Sequence, residues 1–210
     1  MKQPNLSAAR AWLEALEWDG TDRVSTWLTD YLGAADTAAT RQIGGLWLHQ
    51  AVNRLVNPGS QAEYVLVLEG QQGIGKSSAL RALAGPWFSD APLDLSSKDA
   101  ILAIADSWIH EIAEPGAHME ASASSLKAFI TARQDRYRPP YGTRTVIRPR
   151  RVVFAATCND FSHIRRPALS RRWLPVSCTR VQLDLIRATR EQLFAQALHE
   201  ITPSRAVANH

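Results

Sequence analysis

The chain has 210 residues, 45% hydrophobic and 21% charged, with 11 glycines, 11 prolines and a net charge of +4. These values exclude collagen-like, low-complexity and intrinsically disordered classes, and no apolar run approaches the roughly 18 residues of a membrane span. MKQPNLSAAR has no apolar signal core, and Cys158 and Cys178 lack metal-type spacing, so a reduced cytoplasmic setting with no membrane partner is expected.

In chain order, residues 6–17 place Leu6, Ala9, Trp12, Leu13 and Leu16 on one helical face. Trp18-Asp19-Gly20 reads as a turn. Thr21 or Asp22 is the expected cap of a second helix through Trp27, Leu28 and Leu32, ending at Gly33. A third helix starts near Thr37, carries Ile43, Leu46, Trp47, Ala51, Leu55 and Val56, and stops at Pro58-Gly59. Residues 1–60 thus read as a helical segment whose tryptophans supply core area. Residues 61–210 read as an α/β domain. Tyr64–Leu68 has the apolar, β-branched content of a buried parallel strand. After it, Ser78–Leu83 reads as a helix, Pro86–Phe88 as a short strand or loop, and Ser96–Asp99 as the N-cap cluster of a helix over 100–105. Ser107–Glu114 has a strand pattern broken by Pro115-Gly116, and a helix is expected over 118–133 with Met119, Leu126, Phe129 and Ile130 inward. Asp135–Arg150 shows no clear periodicity. Strands over 151–157 and 172–176 and a closing helix over 181–201 complete the chain, the helix turning Leu183, Leu185, Ile186, Leu193, Phe194, Ala197 and Leu198 inward. Strands alternating with helices predict a mostly parallel sheet covered on both faces, with the site at the carboxyl ends of its strands.

Between the first strand and its helix lies Gly70-Gln71-Gln72-Gly73-Ile74-Gly75-Lys76-Ser77, which satisfies G-x-x-x-x-G-K-[ST], with Ser78 next. The glycines let backbone N–H groups face an anion, and the helix N-terminus adds partial positive charge. Lys76 is expected to reach the β/γ-phosphates and the Ser77 hydroxyl to ligate Mg²⁺, so the expected ligands are ATP and Mg²⁺. Hydrolysis also needs a carboxylate at a neighbouring strand end. Glu114 is the expected activator of water and Glu111 the expected Mg²⁺ partner, with Glu114 a second metal candidate; a regular strand would point the two to opposite faces. Asn159, directly after the strand 151–157, suits orientation of the lytic water, or is simply a turn residue. Arg171 or Arg172 suits a neighbouring subunit's γ-phosphate, or pairs with a surface carboxylate.

Lys127, Arg133, Arg136, Arg138, Arg144, Arg148, Arg150 and Arg151 face only Asp135 in the same stretch. A one-sided excess beside a phosphate site suggests a polyanionic partner, the bland alternative being a solvated face. Lys127, Arg136, Arg138, Arg144 and Arg148 are the candidate phosphate contacts on DNA, and Tyr137 and Tyr141 the candidate stacking residues. DRYRPPYG over 135–142 serves equally as scaffolding at a subunit interface.

The phosphate loop, LEWDG over 16–20, AGPWFSD over 84–90, LSSKD over 95–99, Trp108–Glu114, Leu126–Phe129, DRYRPPYG, Thr157-Cys158-Asn159 and RRWLPV over 171–176 together resemble the virulence-associated protein E family. These are phage- and mobile-island-encoded replication proteins related to superfamily 3 helicases of the AAA+ class. The resemblance spans nearly the whole chain. It implies an AAA+-like P-loop NTPase fold with Gly70–Ser77 as Walker A, the strand ending at Glu114 as Walker B, Asn159 as sensor 1 and Arg171/Arg172 as finger candidates. It implies ATP hydrolysis by a hexamer-type ring unwinding single-stranded or forked DNA in a bacterial host. Where the family carries an Asp-Thr-Gly-Asn-type loop before the paired arginines, this chain has IRRPALS over 164–170. Larger relatives carry an N-terminal primase-type domain; none is expected in these 210 residues, which makes a separately encoded primase an expected partner. The alternative function is a nucleotide-binding interaction module without unwinding activity.

Overall fold

β1 (Val65–Glu69) is the strand around which a mixed α/β structure assembles, its first four residues fully buried on both faces. The computed structural model describes residues 5–95, 99–116, 123–138, 143–161 and 171–202. β1 lies between β6 (Val153–Cys158) and β7 (Trp173–Ser177), all parallel. Beyond β6 come β3 (Ile109–Ala113) and the two-residue β2 (Phe88–Ser89), giving the order β2-β3-β6-β1-β7. Gly85–Trp87 forms a 3-10 turn leading into β2.

Period-2 alternation sorts the strands onto two cores. Leu66, Leu68, Ile109, Val153, Ala155 and Val176 face α1 (Leu6–Glu14), α2 (Trp27–Leu32), α3 (Ala38–Val56), α4 (Lys76–Ala84) and the closing helix. Val65, Val67, Ile112, Phe154, Ala156 and Trp173 face α5 (Asp99–Ile104) and α6 (Ala123–Thr131). The closing helix, α7, runs Leu183–Ile201. Trp27, Trp47, Trp108 and Trp173 are all within 2% of full burial, in keeping with a packing role.

Helix starts and stops follow local chemistry. Asn5 accepts from Ala8 N–H at 3.0 Å and Thr37 from Thr40 N–H at 3.1 Å, capping α1 and α3. Gly33 ends α2 in the left-handed region. Two boundaries differ from the sequence reading, for a tertiary reason. α1 stops at Glu14, not at residue 17, because the following loop is strapped to α7: Gln192 Oε1 accepts from Asp19 N–H, and Gln196 Oε1 accepts from Arg23 and Val24 N–H. Asp22 does not cap α2. Its carboxylate accepts from Ser25 N–H and Gln196 Nε2 instead, and the helix begins five residues later, at Trp27. Leu185, expected inward, stands 36% exposed. Met119 and Ser96–Lys98 lie outside the described residues.

Asp135–Arg150 contains a hairpin that periodicity does not reveal: β4 (Gln134–Tyr137) pairs antiparallel with β5 (Val146–Pro149). Its inward residues are charged, so no apolar alternation marks it. Asp135 is buried against Arg150, whose Nε lies 3.0 and 3.1 Å from the two carboxylate oxygens. Arg150 also donates to the Phe129 carbonyl and stacks over the Phe129 ring. Arg54 of α3 is fully buried and donates to the carbonyls of Ser60, Val152 and Ala132. Burial, then the neighbouring Arg150 charge, pushes it down to about 10.

His110 on β3 is fully buried against Phe154, and neither ring nitrogen makes a hydrogen bond of full geometry. Burial pushes it down to about 4, with the Ala91 backbone and the Asp90 charge pulling weakly the other way. The unfolded chain takes up this proton near pH 6.5, the native chain only near 4, so stability is lost as pH falls through that window. Between pH 7.5 and 5.5 the wild type should lose about 1.4 kcal/mol more than His110→Leu, read from urea unfolding. Equal losses in the two proteins would remove His110 from the account.

Candidate functional site

The glycine loop leaves β1 at its carboxyl end and delivers Lys76 as the first residue of α4. Two glycines are sterically required. A Cβ on Gly70 would sit 2.4 Å from the Cys178 carbonyl oxygen, and Gly75 has φ +100°, a conformation side chains rarely adopt. Cys178, just past β7, and Cys158, at the end of β6, bracket Gly70; both thiols are free and buried, and burial pushes them up to about 12 and about 11. They are inert walls of the loop.

Sheet order puts a crevice beside this loop. The chain leaves β1 toward β2 on one side, while β6 leads across β1 to β7 on the other, and such reversals open a cleft at the strands' carboxyl ends. A cleft of about 320 Å³ lies there, lined by Gln72, Gly73, Gly75, Lys76, Ser77, Ser78, Glu114, Thr157, Cys158 and Asn159. Of the sequence candidates, the loop residues, Glu114 and Asn159 therefore meet at one place.

Lys76 is 8% exposed and donates to the carbonyls of Gly70 (2.6 Å) and Gln71 (2.9 Å). Ser77 Oγ donates to Glu111 Oε1 at 2.6 Å, joining the loop to β3. Thr157 Oγ1 donates to the same oxygen at 2.5 Å, while Glu111 Oε2 is buried with no partner among the described residues. Thr157 was not a sequence candidate; its signal is a hydroxyl in the otherwise apolar run of β6.

The two carboxylates do not diverge as a regular strand would require. β3 ends at Ala113, and Glu114 has φ +45°, an uncommon conformation away from glycine. Its N–H donates to the Thr157 carbonyl at 2.9 Å. That turn brings Glu114 to the cleft while Glu111 reaches Ser77 from within the strand. The parts suit a Mg²⁺-bound nucleotide: a hydroxyl touching a carboxylate that keeps one orphaned oxygen, beside a cationic lysine. Mg²⁺ takes only one or two protein oxygens and completes its shell with phosphate and water. Among the described residues, no three His, Cys, Asp or Glu side chains cluster as a metal cage.

The arginines sit elsewhere. The Arg172 carbonyl accepts from Val65 N–H, at the amino end of β1, so Arg171 and Arg172 lie a full strand, roughly 16 Å, from their own glycine loop. Arg172 approaches Glu63 at 3.3 Å, whereas Arg171 is exposed. The hairpin is rooted at this same edge: Gly59 N–H donates to the Arg150 carbonyl, and Arg133 Nε donates to the Gly59 carbonyl. On the hairpin and α6, Lys127, Arg136 and Arg144 are exposed, and Tyr137 is half-buried. Arg138 donates to the Thr143 carbonyl and Arg148 approaches Asp106 at 3.4 Å. Arg150 is 3% exposed and belongs to the interior, so the basic surface is smaller than the residue count implied. Tyr141 and residues 164–170 lie outside the described residues.

A family model described as the virulence-associated protein E-like domain matches residues 13–207. No curated protein matches the chain. Two solved structures of the apo A form of the NrS-1 C-terminal region share the fold, at 17% identity each and TM-scores of 0.60 and 0.61. They cover 89% and 92% of this chain, which spans only 48% of each. At that identity the likeness concerns the fold alone.

Proposed function

Because the chain belongs to the virulence-associated protein E-like domain family, we propose that it is an AAA+-like P-loop ATPase that couples Mg²⁺-dependent ATP hydrolysis to DNA in phage or mobile-element replication. The observation that carries the reading is the G-x-x-x-x-G-K-S loop at the end of buried β1, with its Ser77 hydroxyl on the β3 carboxylate in the cleft between β1 and β6. Loop N–H groups and the α4 N-terminus hold the phosphates. Lys76 exchanges its contacts with the Gly70 and Gln71 carbonyls for phosphate oxygens. Ser77 and Glu111 are the residues that would hold the cation. When bound, Mg²⁺ supplies positive charge to the β- and γ-phosphate oxygens. Water attacks the γ-phosphorus; a P–O bond forms, the bond to the β–γ bridging oxygen breaks, and the water proton passes toward Glu114. Asn159 orients that water.

Arg171 and Arg172, at the far edge of the sheet, are out of reach of their own cleft, which supports a finger offered to the next subunit of a head-to-tail ring. Arg171 is the more available of the two. Lys127, Arg136, Arg144 and Tyr137 are the proposed DNA contacts, with Tyr141 and the paired Arg138 and Arg148 as further candidates. Residues 1–60 are read as a helical segment serving the ATPase domain over 61–210, and a separately encoded primase remains a proposed partner.

The test is ATP turnover with Mg²⁺, with and without single-stranded DNA, for the wild type and Glu114→Gln. The wild type should hydrolyse ATP and be stimulated by DNA. The glutamine variant should bind ATP equally well and turn over about 100-fold or more slowly, the scale expected for a lost general base. Equal binding with no hydrolysis by either protein would instead identify a nucleotide-binding interaction module.

A further inference from the structure

Thr157 is the only hydroxyl residue of β6, whose sequence is VFAATC, and it is 6% exposed. It contacts both glutamates at once, one through its side chain and the other through the backbone. Its hydroxyl donates to Glu111 Oε1, and its carbonyl accepts from the Glu114 N–H at the one left-handed non-glycine residue among those described. Ser77 donates to the same Glu111 oxygen, so both donors bear on Oε1 and Oε2 is left buried and unpaired. A buried carboxylate oxygen without a donor is costly unless something else meets it. Rotation of the carboxylate would exchange the two oxygens, and donors from two different elements, α4 and β6, oppose that rotation. The Ser77 hydroxyl can keep its proton on Oε1 while a lone pair meets a cation, so Thr157 is the second donor, from the strand side, that fixes Oε1.

We infer that Thr157 is a positioning residue: it locks Glu111 so that Oε2 is the oxygen free to meet the divalent cation of a metal–nucleotide complex. This rests on the nucleotide reading above. Thr157 is not itself assigned to substrate; it acts through Glu111, as hydrogen-bonding partners of metal-binding carboxylates do.

The experiment uses the full chain, a non-hydrolysable ATP analogue and varied Mg²⁺, followed by calorimetry. In the wild type, added Mg²⁺ should tighten analogue binding. Thr157→Val keeps shape and removes the donor; it should raise the Mg²⁺ concentration for half-maximal effect about 10- to 100-fold. Affinity without Mg²⁺ should change far less than affinity with it, and Thr157→Ser should restore the Mg²⁺ response. Should the valine variant fail to fold, the contrast between Thr157→Ala and Thr157→Ser decides the same point. A valine curve that superimposes on the wild type overturns the inference while leaving the nucleotide reading intact. Weakening that is equal with and without Mg²⁺, and not rescued by serine, overturns it as a merely structural effect. A wild type that binds no analogue at any Mg²⁺ concentration removes the nucleotide reading and the inference with it.

Discussion

Lys76→Ala is expected to lower ATP turnover by about 100- to 1,000-fold, the range for removing one preorganised donor to developing phosphate charge. Among the described residues, Lys76 is the only lysine or arginine lining the cleft, so no other described residue there takes over its charge. The change should spare the fold, since the side chain's hydrogen bonds go only to the carbonyls of its own loop, Gly70 and Gln71. Those carbonyls can turn to water at the rim of the cleft. The measurement is steady-state phosphate release, paired with circular dichroism and a melting curve. Turnover equal to that of the wild type, in a folded variant, would remove the glycine loop from catalysis.

The largest expected effect on stability lies at the other edge of the sheet. Asp135→Ala leaves Arg150 buried at 3% exposure without its carboxylate, and removes the same negative charge from a second buried guanidinium, Arg54, which is hydrogen-bonded to backbone carbonyls. Breaking a buried ion pair by deleting one partner costs about 3–5 kcal/mol. For a chain of this size that corresponds to a fall of roughly 6–20 °C in melting temperature. Arg136→Ala, on the outward face of the same hairpin, should leave the melting temperature within about 2 °C, as exposed substitutions do. If the two variants melt alike, the Asp135–Arg150 pair does not anchor the hairpin. Arg150→Ala should destabilise less, because the aspartate it strands regains water or a proton more readily than a stranded guanidinium sheds its charge.

The two halves of the molecule were legible to different degrees. Where burial is largely apolar, sequence pattern and structure agree: β1, β3, β6 and β7 each lie in a segment whose pattern reads as a strand, and their order among the helices follows the chain reading. The hairpin β4–β5 escaped because the residues that seat it are Asp135, Arg148 and Arg150, and hydrophobic periodicity does not register a charged interior. The α1 and α2 boundaries moved because Gln192 and Gln196, some 170 residues away, compete for the backbone of the intervening loop. Such partners carry no local signal.

At the cleft, residue type and spacing alone placed a glycine loop with a lysine and a hydroxyl between β1 and α4, local properties on which the proposed phosphate cradle rests. What local spacing does not contain is which carboxylate meets Ser77. Strand alternation separated Glu111 from Glu114; the left-handed turn at Glu114 brings that residue to the cleft lining, while Glu111, buried in β3, reaches it through Ser77 and Thr157. The contribution of Thr157, and the removal of Arg171 and Arg172 to the opposite edge, likewise depend on strand order. Hydrogen bonds across a parallel sheet join residues dozens of positions apart, and only the packed sheet brings those side chains within reach of one another.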